Sequence, residues 1–181
     1  MVKIALCGQM RSGKDSVADI LEEQDFFRYK FSQGIWETMG LLFGQNEGNT
    51  LFKPRKLLQG LGQKIREIDP DVWLNYTMNE IIYDFEMHDD IDVVITDLRQ
   101  PNEYARLKED GFIIIRIVAS EHTRMQRARA KGDIFTEEDT KHETESHVSS
   151  FDVDYEISND GSFDELRSKV RQMLDTLGVV E

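Results

Sequence analysis

Gly8-Gln9-Met10-Arg11-Ser12-Gly13-Lys14-Asp15-Ser16 is the stretch that decides the fold. A short apolar run, Val2-Lys3-Ile4-Ala5-Leu6-Cys7, precedes it, and a helical pattern, Ser16-Val17-Ala18-Asp19-Ile20-Leu21, comes after it. Strand, glycine-rich turn and helix form the setting of a phosphate-binding loop. The glycines let backbone N–H groups curl round an anion, which then sits at the positive end of a helix dipole. Lys14 would reach the outer phosphates as a point charge. A plain glycine turn at a strand end is the alternative, and the strand-to-helix context argues against it. Gly8, Gly13 and Lys14 have the standard spacing; the next position departs from it. Ser or Thr normally stands there and holds Mg²⁺ through its hydroxyl, whereas this chain has Asp15 and then Ser16.

The chain has 181 residues, 39% of them hydrophobic, which suits one globular domain with a full core. No run of about 18 apolar residues occurs, so no membrane span is expected. The chain enters its first strand at once, so no signal peptide is expected either. The single cysteine, Cys7, excludes an internal disulfide and a thiolate zinc cluster, and suits core packing. A cytoplasmic setting fits these features. The net charge of −13 argues against a nucleic-acid partner, which needs a broad basic face. It leaves room for a small anion held by a few focused cations.

Strands are expected at Val2–Cys7, Phe26–Phe31, Asp92–Asp97, Phe112–Val118 and Asp154–Ser158. Helices alternate with them: from Ser16, over Ser32–Phe43, Lys53–Ile68, Val72–Met87, Asn102–Asp110 and Ser120–Lys131, and a last one capped by Ser162. Leu57, Leu58, Leu61, Ile65 and Ile68 share one face of the Lys53–Ile68 helix; Lys53, Arg55, Lys56, Gln59, Lys64 and Arg66 share the other. The alternation predicts an α/β three-layer fold with a five-stranded parallel sheet in a single domain over 1–181. The long helical insertion at about 32–88 reads as a cover over the substrate side.

In parallel sheets, ligands bind beyond the carboxyl ends of the strands. Three such ends carry notable residues: Gly8–Ser16, Asp97–Glu103 and Asn159–Ser162. Asp97 ends an apolar strand, where an acid can hold Mg²⁺ through water or simply cap the next turn. Arg99 could clamp a phosphate in bidentate fashion or pair with Glu103 four positions on. Arg127 and Lys131 share a helix face, with Arg124 one turn earlier, and suit either a lid over phosphates or a solvated basic face. His142 and His147, with Glu143 and Glu145, are five residues apart, about 140° on a helix. That spacing does not suit a zinc-binding helix, and a loop that packs or switches is expected there. No Ser-His-Asp or Cys-His set stands out. Transfer to a phosphate acceptor needs none, because a phosphate monoester is already mostly a dianion at neutral pH, with a second pKa of about 6.

Taken together these residues resemble the phage-type deoxynucleoside monophosphate kinases, P-loop enzymes in which Asp also stands directly after the loop Lys. Arg55-Lys56-Leu57-Leu58-Gln59-Gly60-Leu61-Gly62 is similar to that family's Arg-x-x-x-Gln-x-x-Gly segment. Ile95-Thr96-Asp97-Leu98-Arg99-Gln100 is similar to its Thr-Asp-x-Arg-Gln segment, and His142-Glu143-Thr144-Glu145 to its His-x-Thr-Glu. Ile157-Ser158-Asn159-Asp160-Gly161-Ser162 resembles its last strand and turn. The matches run in order along nearly the whole chain. Ser-Gly-Lys-Asp also resembles the loop of animal phosphomevalonate kinases. The Arg127 and Lys131 spacing resembles the lids of adenylate and dephospho-coenzyme A kinases.

The resemblance implies a P-loop kinase fold with a nucleoside monophosphate-binding cover and a lid at about 120–150. It implies transfer of the ATP γ-phosphate to a (deoxy)nucleoside monophosphate, with Mg²⁺. ATP is then expected at Gly8, Arg11, Ser12, Gly13, Lys14, Asp15, Ser16, Arg127, Asn159 and Asp160. The acceptor is expected at Arg55, Gln59 and Arg99. Lys14, Asp97, Arg99 and Lys131 are the expected catalytic set, and Asp15, Ser16 and Asp97 the expected Mg²⁺ ligands. Small nucleotides are the implied partners, with a homodimer compatible with the sequence. A kinase of another phosphorylated acceptor, such as phosphomevalonate or dephospho-coenzyme A, is the alternative within enzymes. An ATP-binding regulatory protein without transfer is the alternative outside them. No Asn-Lys-x-Asp motif occurs, which argues against a GTPase.

Overall fold

The computed structural model describes residues 1–44, 54–88, 90–131 and 147–179. Apolar runs with turn residues at both ends become the strands β1 (Lys3–Cys7), β2 (Phe26–Tyr29), β3 (Asp92–Ile95), β4 (Ile113–Val118) and β5 (Tyr155–Ser158). The helices are α1 (Lys14–Glu22), α2 (Ser32–Phe43), α3 (Arg55–Arg66), α4 (Val72–Met87), α5 (Pro101–Glu109), α6 (Glu121–Ala130) and α7 (Phe163–Thr176). The five strands form one sheet in the order β2-β3-β1-β4-β5. β1 lies parallel to β3, with Ala5 opposite Ile95, and parallel to β4, with Cys7 opposite Arg116. β4 lies parallel to β5, with Val118 opposite Ser158.

This order fixes where the helices go. The chain leaves β1 toward one edge, to β2, and leaves β3 toward the other, to β4 and then β5. Right-handed crossovers therefore carry α1 to one face and α5 and α6 to the opposite one. On the α1 face, Ile4, Leu6, Val94, Ile115, Ile117 and Ile157 pack with Val17, Ala18, Ile20 and Leu21 of α1 and with Leu166, Val170, Met173 and Leu174 of α7. The other pleat positions, among them Ala5, Cys7, Val93, Ile95 and Ile114, are also fully buried. Burial on both sides is why these strands read as continuous apolar runs rather than as alternation. α7 starts as its sequence predicts: Ser162 Oγ accepts the Glu165 N–H at 3.2 Å, and the Glu165 carboxylate accepts the Ser162 N–H at 2.9 Å.

The chain forms two compact units, Met1–Arg28 with Ile91–Glu181, and Tyr29–Asp90. In the second unit, Ile35, Trp36 and Met39 of α2 pack with Leu58 of α3 and Trp73 of α4. Trp73 Nε1 donates to the Gly62 carbonyl at 3.1 Å, so the indole is a core group with its polar atom satisfied. Tyr29 Oη donates to the Asp84 carboxylate at 2.5 Å, tying the start of this unit to α4. Gly34 belongs to the same packing, since a Cβ there would lie 2.9 Å from the Tyr76 ring.

Some boundaries differ from expectation. α1 begins at Lys14 rather than Ser16, because the loop itself feeds the first helical turn. α3 runs only over Arg55–Arg66, and two residues assigned to its apolar face are exposed, Ile68 by 85% and Leu57 by 38%. β2 stops at Tyr29, short of Phe31. Before α4, the Asp69 carboxylate accepts the Asp71 N–H at 3.0 Å, so Asp69 organises this turn.

Candidate active site

The loop after β1 is shaped by three residues in the left-handed region: Gly8 (φ 148°), Arg11 (φ 62°) and Gly13 (φ 105°). The two glycines are also sites of close approach. A Cβ at Gly8 would lie 2.4 Å from the Ile117 carbonyl oxygen, and one at Gly13 would lie 2.0 Å from Asn159 Nδ2. No other residue type fits either place without moving backbone or a buried amide. Between them, the Ser12 N–H donates to the Gln9 carbonyl at 3.1 Å and closes a tight turn. Lys14 opens α1 and lays its ammonium on the loop, donating to the carbonyls of Gly8 at 2.6 Å and Gln9 at 3.2 Å. Ser12 Oγ is buried and has no hydrogen-bond partner among the described residues, a polar atom in the cradle with bonding capacity to spare. An anion of phosphate chemistry fits these features: a close-packed glycine turn, a lysine and a hydroxyl at a helix N-terminus.

The back of the loop is held from two other elements. Asn159 lies directly after β5, where its N–H donates to the Val118 carbonyl at 2.7 Å and its side chain is buried. Its Nδ2 donates to the Ser12 carbonyl at 2.8 Å. Arg127 of α6 donates to the same carbonyl at 3.3 Å, to the Arg11 carbonyl at 3.5 Å, and to Asn159 Oδ1 at 3.2 Å. Asp160 points to the N-terminus of α6, accepting from the Ser120 N–H at 2.9 Å and from Ser120 Oγ at 2.7 Å. Hydrogen bonds from the side chains of Thr123 and Ser120 hold the exposed Asp160 carboxyl down at about 2.

Next to β1, β3 ends at Ile95 opposite Ala5, and the chain continues through Thr96 to Asp97. Leu98 is fully buried, which pins the turn and leaves Asp97 and Arg99 half-buried on either side of it. Glu103 fixes the backbone beyond Leu98: its buried carboxylate accepts the N–H groups of Arg99 at 3.0 Å and Gln100 at 2.9 Å. With Gln100 it forms a capping box, and Pro101 opens α5. Thus Glu103 meets the backbone at Arg99 as a helix cap. Asp15 is exposed and Ser16 half-buried in the first turn of α1. Mg²⁺ takes oxygen ligands, keeps several waters and needs only one or two carboxylates beside phosphate oxygens. Asp97, Asp15 and Ser16 offer oxygens of that kind. No group of three His, Cys, Asp or Glu forms a dedicated metal cage among the described residues.

Three more of the expected residues stand on or beside helices. Lys131 closes α6 and is exposed. Arg55 opens α3 and Gln59 is exposed on it, both within the second unit. His142, Glu143, Thr144 and Glu145 lie outside the described residues.

Arg116 is a functional candidate that the motifs do not mark. Standing half-buried in β4, it donates to the Val148 carbonyl at 3.3 Å, the Ser149 carbonyl at 3.4 Å and the Phe151 carbonyl, and to Glu156 at 3.4 Å. It thereby anchors the segment before β5. A cavity of about 120 Å³ lies beside it, lined in part by Gly8, Gln9, Ala119 and Val148. The signal was present in the sequence: a lone cation within an apolar strand must have partners. Cys7, opposite Arg116, is buried, and burial pushes its thiol up despite the pull of Arg116 and Lys14.

A five-stranded parallel sheet whose first strand runs through a glycine cradle into a helix defines a P-loop kinase fold. Solved structures agree on the architecture. A sugar kinase from Janibacter sp. HTCC2649 superposes with a TM-score of 0.61 at 11% identity, covering 99% of this chain and 96% of that one. Dephospho-CoA kinase from Campylobacter jejuni gives 0.56 at 13% identity, covering 97% and 96%. Sequence comparison is more specific: the deoxynucleotide monophosphate kinase family profile matches residues 45–170. The deoxynucleotide monophosphate kinase of Escherichia phage RB69 is 32% identical over 136 residues, 71% of this chain. The chain belongs to the deoxynucleotide monophosphate kinase family. It spans 48% of the length of that phage relative.

Proposed function

We propose that the protein transfers the γ-phosphate of ATP to a deoxynucleoside monophosphate. The observation that carries this reading is the glycine cradle from Gly8 to Gly13, with Lys14 across it, beyond the same carboxyl end of the sheet as the Asp97-Leu98-Arg99 turn. An oxygen of the acceptor monophosphate forms the new bond to the γ-phosphorus, and the bond from that phosphorus to the ADP oxygen breaks. The acceptor needs no general base, since its phosphate is already mostly ionised near neutral pH. The protein supplies alignment and positive charge.

Loop N–H groups and Lys14 hold the donor phosphates, with Arg11, Ser12, Asp15 and Ser16 around them. Arg99 steadies the transferring group, and Lys131, at the end of α6, belongs to the catalytic set from the lid side. Mg²⁺, held through Asp97, Asp15 and Ser16 with the phosphates, would neutralise charge on the phosphate oxygens. Arg55 and Gln59, both on α3, are the residues assigned to the deoxynucleotide. No helix among the described residues is long and apolar enough to cross a membrane. We place the protein in the cytoplasm, acting on small nucleotides and not on nucleic acid. A homodimer is compatible with this role.

Two variants test the assignment. Lys14→Ala should remain folded and lose at least about 100-fold in turnover, the scale of a removed transition-state donor. Wild-type turnover in the folded variant would sink the mechanism. Asp97→Asn should shift the Mg²⁺ titration of activity to higher concentration; an unchanged titration would remove Asp97 from the metal.

A further inference from the structure

We infer that Arg127 and Asn159 are positioning residues that act on the donor through the loop, turning the Gly13 N–H toward the phosphate. The inference rests on the reading of this loop as the donor phosphate site. Three hydrogen bonds from two side chains converge on two successive loop carbonyls: Asn159 Nδ2 on Ser12 at 2.8 Å, and Arg127 Nη1 on Ser12 at 3.3 Å and on Arg11 at 3.5 Å. No cis peptide bond occurs among the described residues, so in each of their peptide units the C=O and the following N–H point in opposite directions. Holding the Ser12 carbonyl against Asn159 and Arg127 therefore aims the Gly13 N–H away from that pair, to the concave side of the loop. Both N–H and C=O of one peptide cannot face the same side, and an anion is drawn by an N–H and repelled by a carbonyl. The pair selects the binding orientation before the anion arrives.

The pair is itself fixed. Arg127 and Asn159 bond each other at 3.2 Å, and Asn159 is only 5% exposed. Asp160, the next residue, fastens the start of α6 through Ser120, so the helix that carries Arg127 is tied to the turn that carries Asn159. The Arg127 cation lies behind the peptide dipoles of the loop, where it stabilises their carbonyl ends and so supports the polarity that binds phosphate. The contact to Gly13 belongs to the same device, because only glycine lets Asn159 come this close.

Tripolyphosphate separates this role from contact with the base, since it carries the phosphates of ATP and no adenine. Affinities of wild type, Asn159→Ala, Asn159→Asp and Arg127→Met for ATP and for tripolyphosphate are measured by calorimetry, with folding checked by circular dichroism. Asn159→Asp keeps the side-chain volume and loses the donor, so it serves if Asn159→Ala fails to fold. Equal weakening toward both ligands is expected, about tenfold for one lost hydrogen bond. The KM for ATP should rise by the same factor while kcat at saturating ATP is kept. Weakening toward ATP alone would show direct contact with the base and overturn the proposal, as would unchanged affinity for both. A wild-type protein that binds neither ligand would overturn the phosphate-site reading itself.

Discussion

Gly13→Ala offers the sharpest test of how the loop is built. The residue sits at φ 105°, where a residue with a Cβ pays about 1–3 kcal/mol in backbone strain. The added Cβ would also lie 2.0 Å from Asn159 Nδ2, so Asn159 must leave the Ser12 carbonyl. A buried pair left unsatisfied costs about 1–3 kcal/mol more. The sum is about 4 kcal/mol. For a chain of 181 residues, each kcal/mol moves Tm by about 2–4 °C, so a fall of about 8–16 °C is expected. Gly111→Ala is the control. Its φ is 76°, yet nothing lies within 4 Å of an added Cβ, so only the left-handed strain of about 1–2 kcal/mol applies. Thermal unfolding of the two variants, monitored by calorimetry, should separate them by at least about 4 °C. Equal falls in Tm would refute the claim that Asn159 packs on the loop at this point.

The titrating groups give two further expected outcomes. The Asp160 carboxyl, brought from 3.8 to about 2 by hydrogen bonds from Thr123 and Ser120, should show a carboxyl NMR midpoint near the lower value. Its folded pKa is the depressed one, so its contribution to stability is complete above the ordinary carboxylate range and is lost as pH falls toward 2. Ser120→Ala should move the midpoint upward, and an ordinary midpoint in the wild type would contradict the Ser120 contact. Cys7 is fully buried and its thiol is pushed up by burial, so a thiol reagent should label it only as fast as the protein unfolds. Immediate labelling in native buffer would show that the end of β1 is open.

Much of this fold was legible because its elements carry strong local signals. The buried strands read as unbroken apolar runs, and α2 and α4 run over the residues their periodicity marks, Ser32–Phe43 and Val72–Met87. The Ser162 cap was legible from the turn chemistry alone. α3 was less so. Periodicity put Leu57 and Ile68 with Leu58, but only the helices that meet α3 decide which apolar residues are covered, and Ile68 lies past its end.

The site divides in the same way. Gly8, Gly13 and Lys14 are bound to the loop by local spacing, and the structure supplies the reason for each glycine in a contact more than a hundred residues away in sequence. Arg127 and Lys131 share a helix face in the sequence. Yet only the fold shows that Arg127 meets loop carbonyls while Lys131 stays exposed. Arg99 and Glu103 have ion-pair spacing, but the buried carboxylate also completes a helix cap. Arg116 was legible in principle from its place within Phe112–Val118, although its carbonyl partners come from a segment that no local pattern could name.

The central claim is transfer from ATP to a deoxynucleoside monophosphate. Its most direct test is chromatography of the products formed from ATP, Mg²⁺ and each of a panel of deoxynucleoside and ribonucleoside monophosphates, dephospho-coenzyme A and phosphomevalonate. The account predicts ADP and a deoxynucleoside diphosphate in equal amounts, formed only when a deoxynucleoside monophosphate is present. ADP released at the same rate with no acceptor, or a phosphorylated product from another acceptor alone, would contradict it.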